Sequence, residues 1–255
     1  MLIDTHAHLS YPQLACERDA VILRSVEAGV TRIVDVGTNA VTSRSAVETA
    51  GSHAEVFASV GFHPHDAMDA TESGLATIRS SLQEDRVVAV GETGLDFFRD
   101  YAPQDLQERL LRSHIQMALD SGLPLILHSR GAEDRVIEIL EETGAEKIGG
   151  VLHCFGGSID QAARAVELGF HIGFGGTMTF KNSSSLGVAR SVPGDRRLLE
   201  TDCPYLAPEP FRGKRNEPAY VRHIAQFLAK AEGVHLVSLA ERTTENAARL
   251  FNLEA

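Results

Sequence analysis

Short apolar, β-branched runs recur along the chain, one in roughly every 30 residues. They are LIDTH (2–6), RIVDVG (32–37), VFASVG (56–61), VVAVGE (87–92), PLILH (124–128), IGGVLH (148–153), FHIGFGG (170–176) and RLLETD (197–202). Each is too short for a helix and too evenly apolar for a strand with one wet face, so each reads as a buried parallel strand. Helical stretches lie between them. Residues 16–29 carry apolar positions at helical spacing and end in Gly; residues 103–122 open with Pro and close with Gly. A Ser-x-x-Gln capping box opens 158–169, and Ser-x-x-Glu opens 238–251. Segments 41–50, 71–84 and 131–143 also read as helices. Eight strands alternating with helices predict an α/β fold, a closed (β/α)8 TIM barrel. The competing open sheet would want a Gly-rich turn after its first strand, which this chain lacks. No Pro/Gly/Ser-rich linker interrupts the pattern, so 1–255 reads as a single domain.

A barrel of this kind places its chemistry at the carboxyl ends of its strands. The first strand ends in Asp4, His6 and His8. His63 and His65 follow the third; Glu92 ends the fourth, His128 the fifth, His153 the sixth and Asp202 the eighth. Strand side chains alternate, so His6 and His8 can face one side together. A lone strand-end His is more often a satisfied core or surface residue than a ligand. Six segments aimed at one face are a different matter. Four His with two carboxylates suit two divalent ions, with Glu92 able to bridge them. Asp4 reads as support for a histidine or for the barrel mouth. His53, His114, His223 and His235 read as solvated, and His171 as structural. Cys154 and Cys203 directly follow ligand positions, so alternation turns them away as small buried fillers.

Two loops add to this picture. GFGGTMTF (173–180) can offer backbone N–H groups to a phosphate or can serve close packing. CPYLAPEPFRGKRNEP (203–218) carries Arg212, Lys214 and Arg215 at the rim, and Arg130 stands two residues after His128. Net charge is −11, and Lys147, Lys181, Lys214 and Lys230 are the only lysines. The loop is therefore the most concentrated basic patch and reads as a phosphate-binding one. The same net charge argues against a protein that coats nucleic acid in bulk. No apolar run approaches the roughly 18 residues of a membrane span, and the start lacks the pattern of a secretory leader. Cys16, Cys154 and Cys203 make no CxxC pair. A cytoplasmic, monomeric protein with reduced thiols is the expectation.

The motif series DTHAHL, VGFHPH, GETGLDF, PLILHSR, HCFGG and LLETDCPYLAPEPFRGKRNEP resembles that of the TatD family of metal-dependent deoxyribonucleases, within the amidohydrolase superfamily. The series runs from residue 4 to residue 218, in the family's order. The resemblance implies a TIM-barrel hydrolase with a metal pair: His6, His8, Glu92 and Asp202 on one ion, Glu92, His128 and His153 on the other. It also implies that His63 and His65 face the substrate and that Arg212 and Arg215 meet its phosphates. Many two-metal amidohydrolases bridge their ions with a carboxylated lysine. No lysine of this chain ends a central strand, which favours Glu92 as the bridge.

The expected activity is hydrolysis of DNA phosphodiester bonds through a metal-activated water, by exonucleolysis from a 3′ end as in the family. Two divalent ions per chain (Mg²⁺, Mn²⁺ or Zn²⁺) would serve it. Glu92, Asp202 (as general base) and His63 are the catalytic candidates, and His65, Arg130, Arg212, Lys214 and Arg215 would bind single-stranded DNA or strand ends. An alternative is amide, lactone or ester cleavage by the same centre. A non-catalytic binding protein would have no use for a water-activating carboxylate.

Overall fold

A computed structural model describes residues 1–99 and 101–253. Its strands are β1 (Leu2–Ala7), β2 (Val30–Val36), β3 (Val56–Val60), β4 (Val87–Asp96), β5 (Leu125–Arg130), β6 (Gly150–Leu152), β7 (His171–Phe174) and β8 (Arg197–Leu199). Each pairs in parallel with the next, so chain order is also the order around the sheet. The ring closes between β1 and the residues after β8. Asp202 N donates to His6 O at 2.9 Å, and His8 N donates to Cys203 O at 2.9 Å. The expected TIM barrel is therefore the observed one.

The helices are α1 (Pro12–Ala15), α2 (Arg18–Glu27), α3 (Ala40–Ser52), α4 (Glu72–Ser81), α5 (Gln104–Ser121), α6 (Glu133–Thr143), α7 (Ile159–Glu167), α8 (Ser185–Ser191), α9 (Val221–Glu232) and α10 (Leu236–Phe251). The sequence pattern does not predict α1, α8 or α9. The Ser158–Gln161 capping box forms as read. The one read at Ser238 does not: α10 starts earlier, at Leu236, with no side-chain cap.

Two apolar layers hold the barrel. One lies between the strands and the surrounding helices and includes Ile33, Leu111, Ile115, Leu127 and Ile137. The other fills the amino end of the barrel: Ile3, Val34, Val88, Ile126, Val151 and Leu198 pack against Ala247, Phe251 and Leu253. The C-terminal helix thus plugs the floor. Ile126 stands two residues before His128, Val151 two before His153, and Leu198 four before Asp202. Alternation carries the same inward face from dry floor to polar mouth. Pairing registers shift between Asp4 and Ala7 on β1 and between Val90 and Thr93 on β4. These irregularities fall at His6 and Glu92, where a bulge can re-aim a side chain. Among the described residues, no helix is long and apolar enough to cross a membrane.

Candidate metal centre

Glu92 is 2% exposed and stands at the middle of the mouth. Its two oxygens face different sets of rings. Oε2 lies 3.3 Å from His6 Nε2 and 3.7 Å from His8 Nε2. Oε1 lies 2.7 Å from His153 Nε2, 3.1 Å from His128 Nδ1 and 3.4 Å from His63 Nε2. Asp202 closes the first set, its Oδ1 3.4 Å from His8 Nε2 and 3.9 Å from His6 Nε2. His128 Nδ1 and His153 Nε2 approach to 3.4 Å in the second. Every residue expected to hold metal is brought to this one place. Ligand atoms of three groups each gather within 4.8 Å: His6, His8 and Glu92; His63, Glu92 and His128; and His6, His153 and Asp202.

The far nitrogens of the rings decide which of them can ligate. His8 Nδ1 lies 2.9 Å from Val36 O, a carbonyl that only accepts, so that nitrogen carries the proton. His128 Nε2 lies 3.1 Å from Asp96 Oδ2 and is protonated for the same reason. In their neutral form both rings turn a bare lone pair toward carboxylate oxygens, an arrangement that a cation between them would relieve. His63 is the reverse case. Its Nδ1 accepts from His65 N at 3.1 Å, so the neutral ring aims an N–H at Glu92. The donor set thus fits divalent ions on His6, His8, His128 and His153, with His63 as a hydrogen-bond donor beside them.

Burial alone would push the Glu92 carboxyl up, but the fields of His153, His63 and His6 outweigh it and hold Glu92 well below the usual range. Burial drives His63 well below its ordinary value, toward the neutral ring. Burial would raise Asp202, but its contact with His8 and the fields of His153, His6 and His8 together outweigh it and hold Asp202 below the usual carboxylate range. Asp4 is fully buried and pushed up to about 8 by desolvation, against hydrogen bonds from Thr201. It accepts from Thr201 N at 2.9 Å, Thr201 Oγ1 at 2.6 Å and His6 N at 3.3 Å, so it ties β1 to the end of β8.

Other expected residues lie farther out. His65 Nε2 donates to Asp96 Oδ2 at 2.7 Å. Arg130 lies over the Phe98 ring and Arg212 over Phe180, with centroid distances of 4.4 and 4.3 Å. Lys214 stands 5.9 Å from the Phe211 centroid, and Arg215 pairs with Glu17 at 3.2 Å. These four basic side chains meet rings and Glu17 and not the Glu92 cluster, whereas His65 touches the cluster through its backbone N–H to His63 Nδ1 and through Asp96 Oδ2, which it shares with His128. Cys203 is buried as expected, whereas Cys154 is only partly buried. In 173–180 the glycines serve close packing: a Cβ at Gly173 would strike Glu200, and one at Gly176 the Leu206 carbonyl.

His114 corrects the sequence reading. It is fully buried, not solvated: Nε2 accepts from Phe62 N at 3.0 Å and Nδ1 donates to Leu110 O at 2.9 Å. Three supports were not foreseen. Asp96 receives both His65 and His128 on one oxygen, while Gln107 accepts from Asp96 N at 2.8 Å. Glu200 lies 3.5 Å from His153 Nδ1 and accepts from Cys154 N. Asp96 and Glu200 share the alternation of Glu92 and Asp202, a signal that would have found both.

Residues 3–252 match the family described as TatD related DNase. The chain belongs to that family. The uncharacterized metal-dependent hydrolase YabD of Bacillus subtilis is 44% identical over 99% of this chain and 100% of its own length. The 3'-5' ssDNA/RNA exonuclease TatD of Erwinia tasmaniensis is 35% identical over 99% of this chain and all of its own. The crystal structure of YJJV, a TatD homolog from Escherichia coli, superposes with a TM-score of 0.95 at 32% identity, covering 99% and 98% of the two chains. This TatD-family chain is a metal-dependent hydrolase, with His, Glu and Asp groupings that can bind metal.

Proposed function

We propose that this chain is a single-domain nuclease that hydrolyses DNA phosphodiester bonds from a 3′ strand end, with two divalent ions per chain. The observation that carries the reading is Glu92, whose two oxygens each face a separate set of imidazoles. His6, His8, Glu92 and Asp202 would hold one ion, and Glu92, His128 and His153 the other. When bound, Mg²⁺, Mn²⁺ or Zn²⁺ supplies positive charge for a phosphoryl oxygen and acidifies a water.

The remaining work falls to the chain itself. Asp202, partly exposed at the edge of the cluster, accepts the proton of the attacking water at a carboxylate oxygen as the P–O bond to the departing nucleotide breaks, and the leaving oxygen takes its proton from solvent. His63 donates its Nε2–H to a non-bridging phosphate oxygen, where charge builds in the transition state. His65 orients the substrate beside it, and Arg130, Arg212, Lys214 and Arg215 meet phosphates farther along the strand. The names of the Erwinia and Pantoea exonuclease relatives support a nucleic-acid substrate.

The test is incubation of end-labelled single-stranded DNA with the protein and Mg²⁺ or Mn²⁺, beside a chelator and a Glu92→Ala control. A ladder shortening from the 3′ end, absent in both controls, is expected. No laddering from a preparation that still binds metal would sink the nuclease reading.

A further inference from the structure

The apolar rings of this protein are unevenly distributed. Among the described residues, the exposed phenyl and phenol rings are Phe98, Tyr101 and Tyr205, at 67%, 58% and 49%. All three stand in loops at the carboxyl ends of strands: Phe98 and Tyr101 after β4, Tyr205 after β8. An exposed aromatic ring forgoes a large burial gain, so three confined to one mouth point to a ligand that covers them.

Each group is continuous with the centre through stacked or edge-on rings. Tyr11 stacks on His8 at 4.5 Å and 9°, and Tyr205 meets Tyr11 edge-on at 6.0 Å. On the other side Tyr101 meets His65 edge-on at 4.7 Å, and the Arg130 guanidinium covers Phe98. In an eight-stranded ring numbered in order, β4 stands across from β8. The two aromatic arms therefore rise on opposite walls, with Glu92 between them.

We infer that these arms are stacking platforms for the unpaired bases on either side of the bond being cut. The inference rests on the nuclease reading above and specifies its substrate: a single strand held by its bases more than by its phosphates. A ligand that fits must carry two flat faces joined across the reactive linkage, which a polynucleotide has and a small amide or lactone lacks. Charge points the same way. With a net charge of −11, and with Arg215 shared with Glu17, the rim cations supply only part of the affinity a strand needs. Stacking on aromatic rings needs no net positive charge and tolerates any base. Paired bases are already stacked on their neighbours, so duplex DNA would be a poor substrate.

The test compares a short single-stranded oligonucleotide with an abasic one of equal length and charge. The wild type should show a KM about tenfold lower for the oligonucleotide with bases. Tyr101→Ala and Tyr205→Ala should each move that ratio toward one, whereas Val237→Ala, exposed at the far end of the barrel, should keep it. A binding arm needs no turnover. The chain has no tryptophan, so Tyr101→Trp introduces a single indole. A phosphorothioate oligonucleotide, which resists cleavage, should quench its fluorescence, and an abasic phosphorothioate should not. Equal KM values for the two wild-type substrates, or equal quenching by both probes, would overturn the inference. If no phosphodiester is cut but quenching still depends on the bases, the nuclease reading fails and the platforms stand.

Discussion

The two walls of the metal centre hold their histidines by different means. On the β1–β8 wall, buried carboxylates grip the backbone. Asp4 accepts from Thr201 and His6 N, Asp35 accepts from Leu9 N at 2.9 Å, and the His8 ring is fixed by the Val36 carbonyl. On the β3–β6 wall, carboxylates reach the rings themselves. Asp96 takes His65 and His128, and Glu200 approaches His153. A carboxylate behind a ligating imidazole fixes its tautomer and makes it a stronger donor; a neutral carbonyl fixes the tautomer with less effect on basicity. If each wall holds one ion, as proposed above, the second should bind its ion through more basic rings and suffer more when one support is changed.

Glu92 faces the histidines of both walls with separate oxygens, so its loss should have the largest effect. Glu92→Gln should lower turnover by about 10²–10⁴-fold and reduce the affinity of both ions. Elemental analysis after dialysis checks the second half of that statement. If one ion stays at full occupancy, Glu92 belongs to one wall only.

The walls should also part company in acid. His114 is held down to about 4 by burial, with the charge of Arg79 adding to it. Its ordinary value is near 6.5, so the unfolded chain takes up the proton first as pH falls. The neutral ring's contribution is complete above pH 6.5 and is lost on descending toward pH 4, by about 3 kcal/mol. Asp35 behaves oppositely. Burial raises it to about 6, so its protonation between pH 6 and 4 relieves a cost of folding. Amide-exchange protection factors at pH 7 and 4.5 report on both: Phe62, which donates to His114, should lose protection while Leu9, which donates to Asp35, keeps it. His114→Gln retains an acceptor for Phe62 and should remove most of the acid sensitivity there. Equal loss at Leu9 and Phe62 would dissolve the distinction.

Asp96 shows both how far the sequence could be read and where reading stopped. The apolar runs located all eight strands because a buried parallel strand has no polar face to confuse its pattern. Their final residues supplied the candidate ligands for the same reason: a charge ending such a run has few bland explanations. Apolarity could not show that β4 continues past Glu92 to Asp96, since Thr93 and Gly94 dilute the run. Polarity alone places His114 in solvent, whereas its position on the helix buries it. It lies three and four residues from Leu111 and Leu110, on the buried face of α5. The partner of a buried polar group lies far along the chain, as Phe62 does from His114, and only the fold supplies it.

Asp96→Asn should have a smaller, more local effect. The carboxylate accepts four N–H groups: two imidazoles on Oδ2, and Phe98 N and Arg99 N on Oδ1. Asparagine offers one accepting oxygen, so either the rings or the backbone must face an NH₂ group. If the rings face it, His128 is driven to the tautomer whose Nδ1 is protonated and cannot ligate. Affinity for one ion should fall about 10–100-fold while the β1–β8 ion is retained. Loss of both ions together would show that the walls are not independent.

The smallest effect is expected outside both walls, at Arg215. Its guanidinium donates to Gln13 O at 2.8 Å and pairs with Glu17, and all three residues are solvent-facing. An exposed pair of this kind contributes little to stability, because water screens it and two long side chains must be ordered. Arg215→Ala should therefore leave the melting temperature almost unmoved, and any change in KM for DNA is then a direct reading of phosphate contact. Arg212 has no carboxylate partner among its described contacts, only the face of Phe180. Arg212→Glu should raise KM for an oligonucleotide more than Arg215→Ala does, because it places a negative charge where a positive one was free to turn toward substrate. The same reversal would scarcely affect a neutral amide or lactone. Equal KM values for wild type, Arg212→Glu and Arg215→Ala would leave the rim without a phosphate-binding role and confine recognition to the two walls and their aromatic arms.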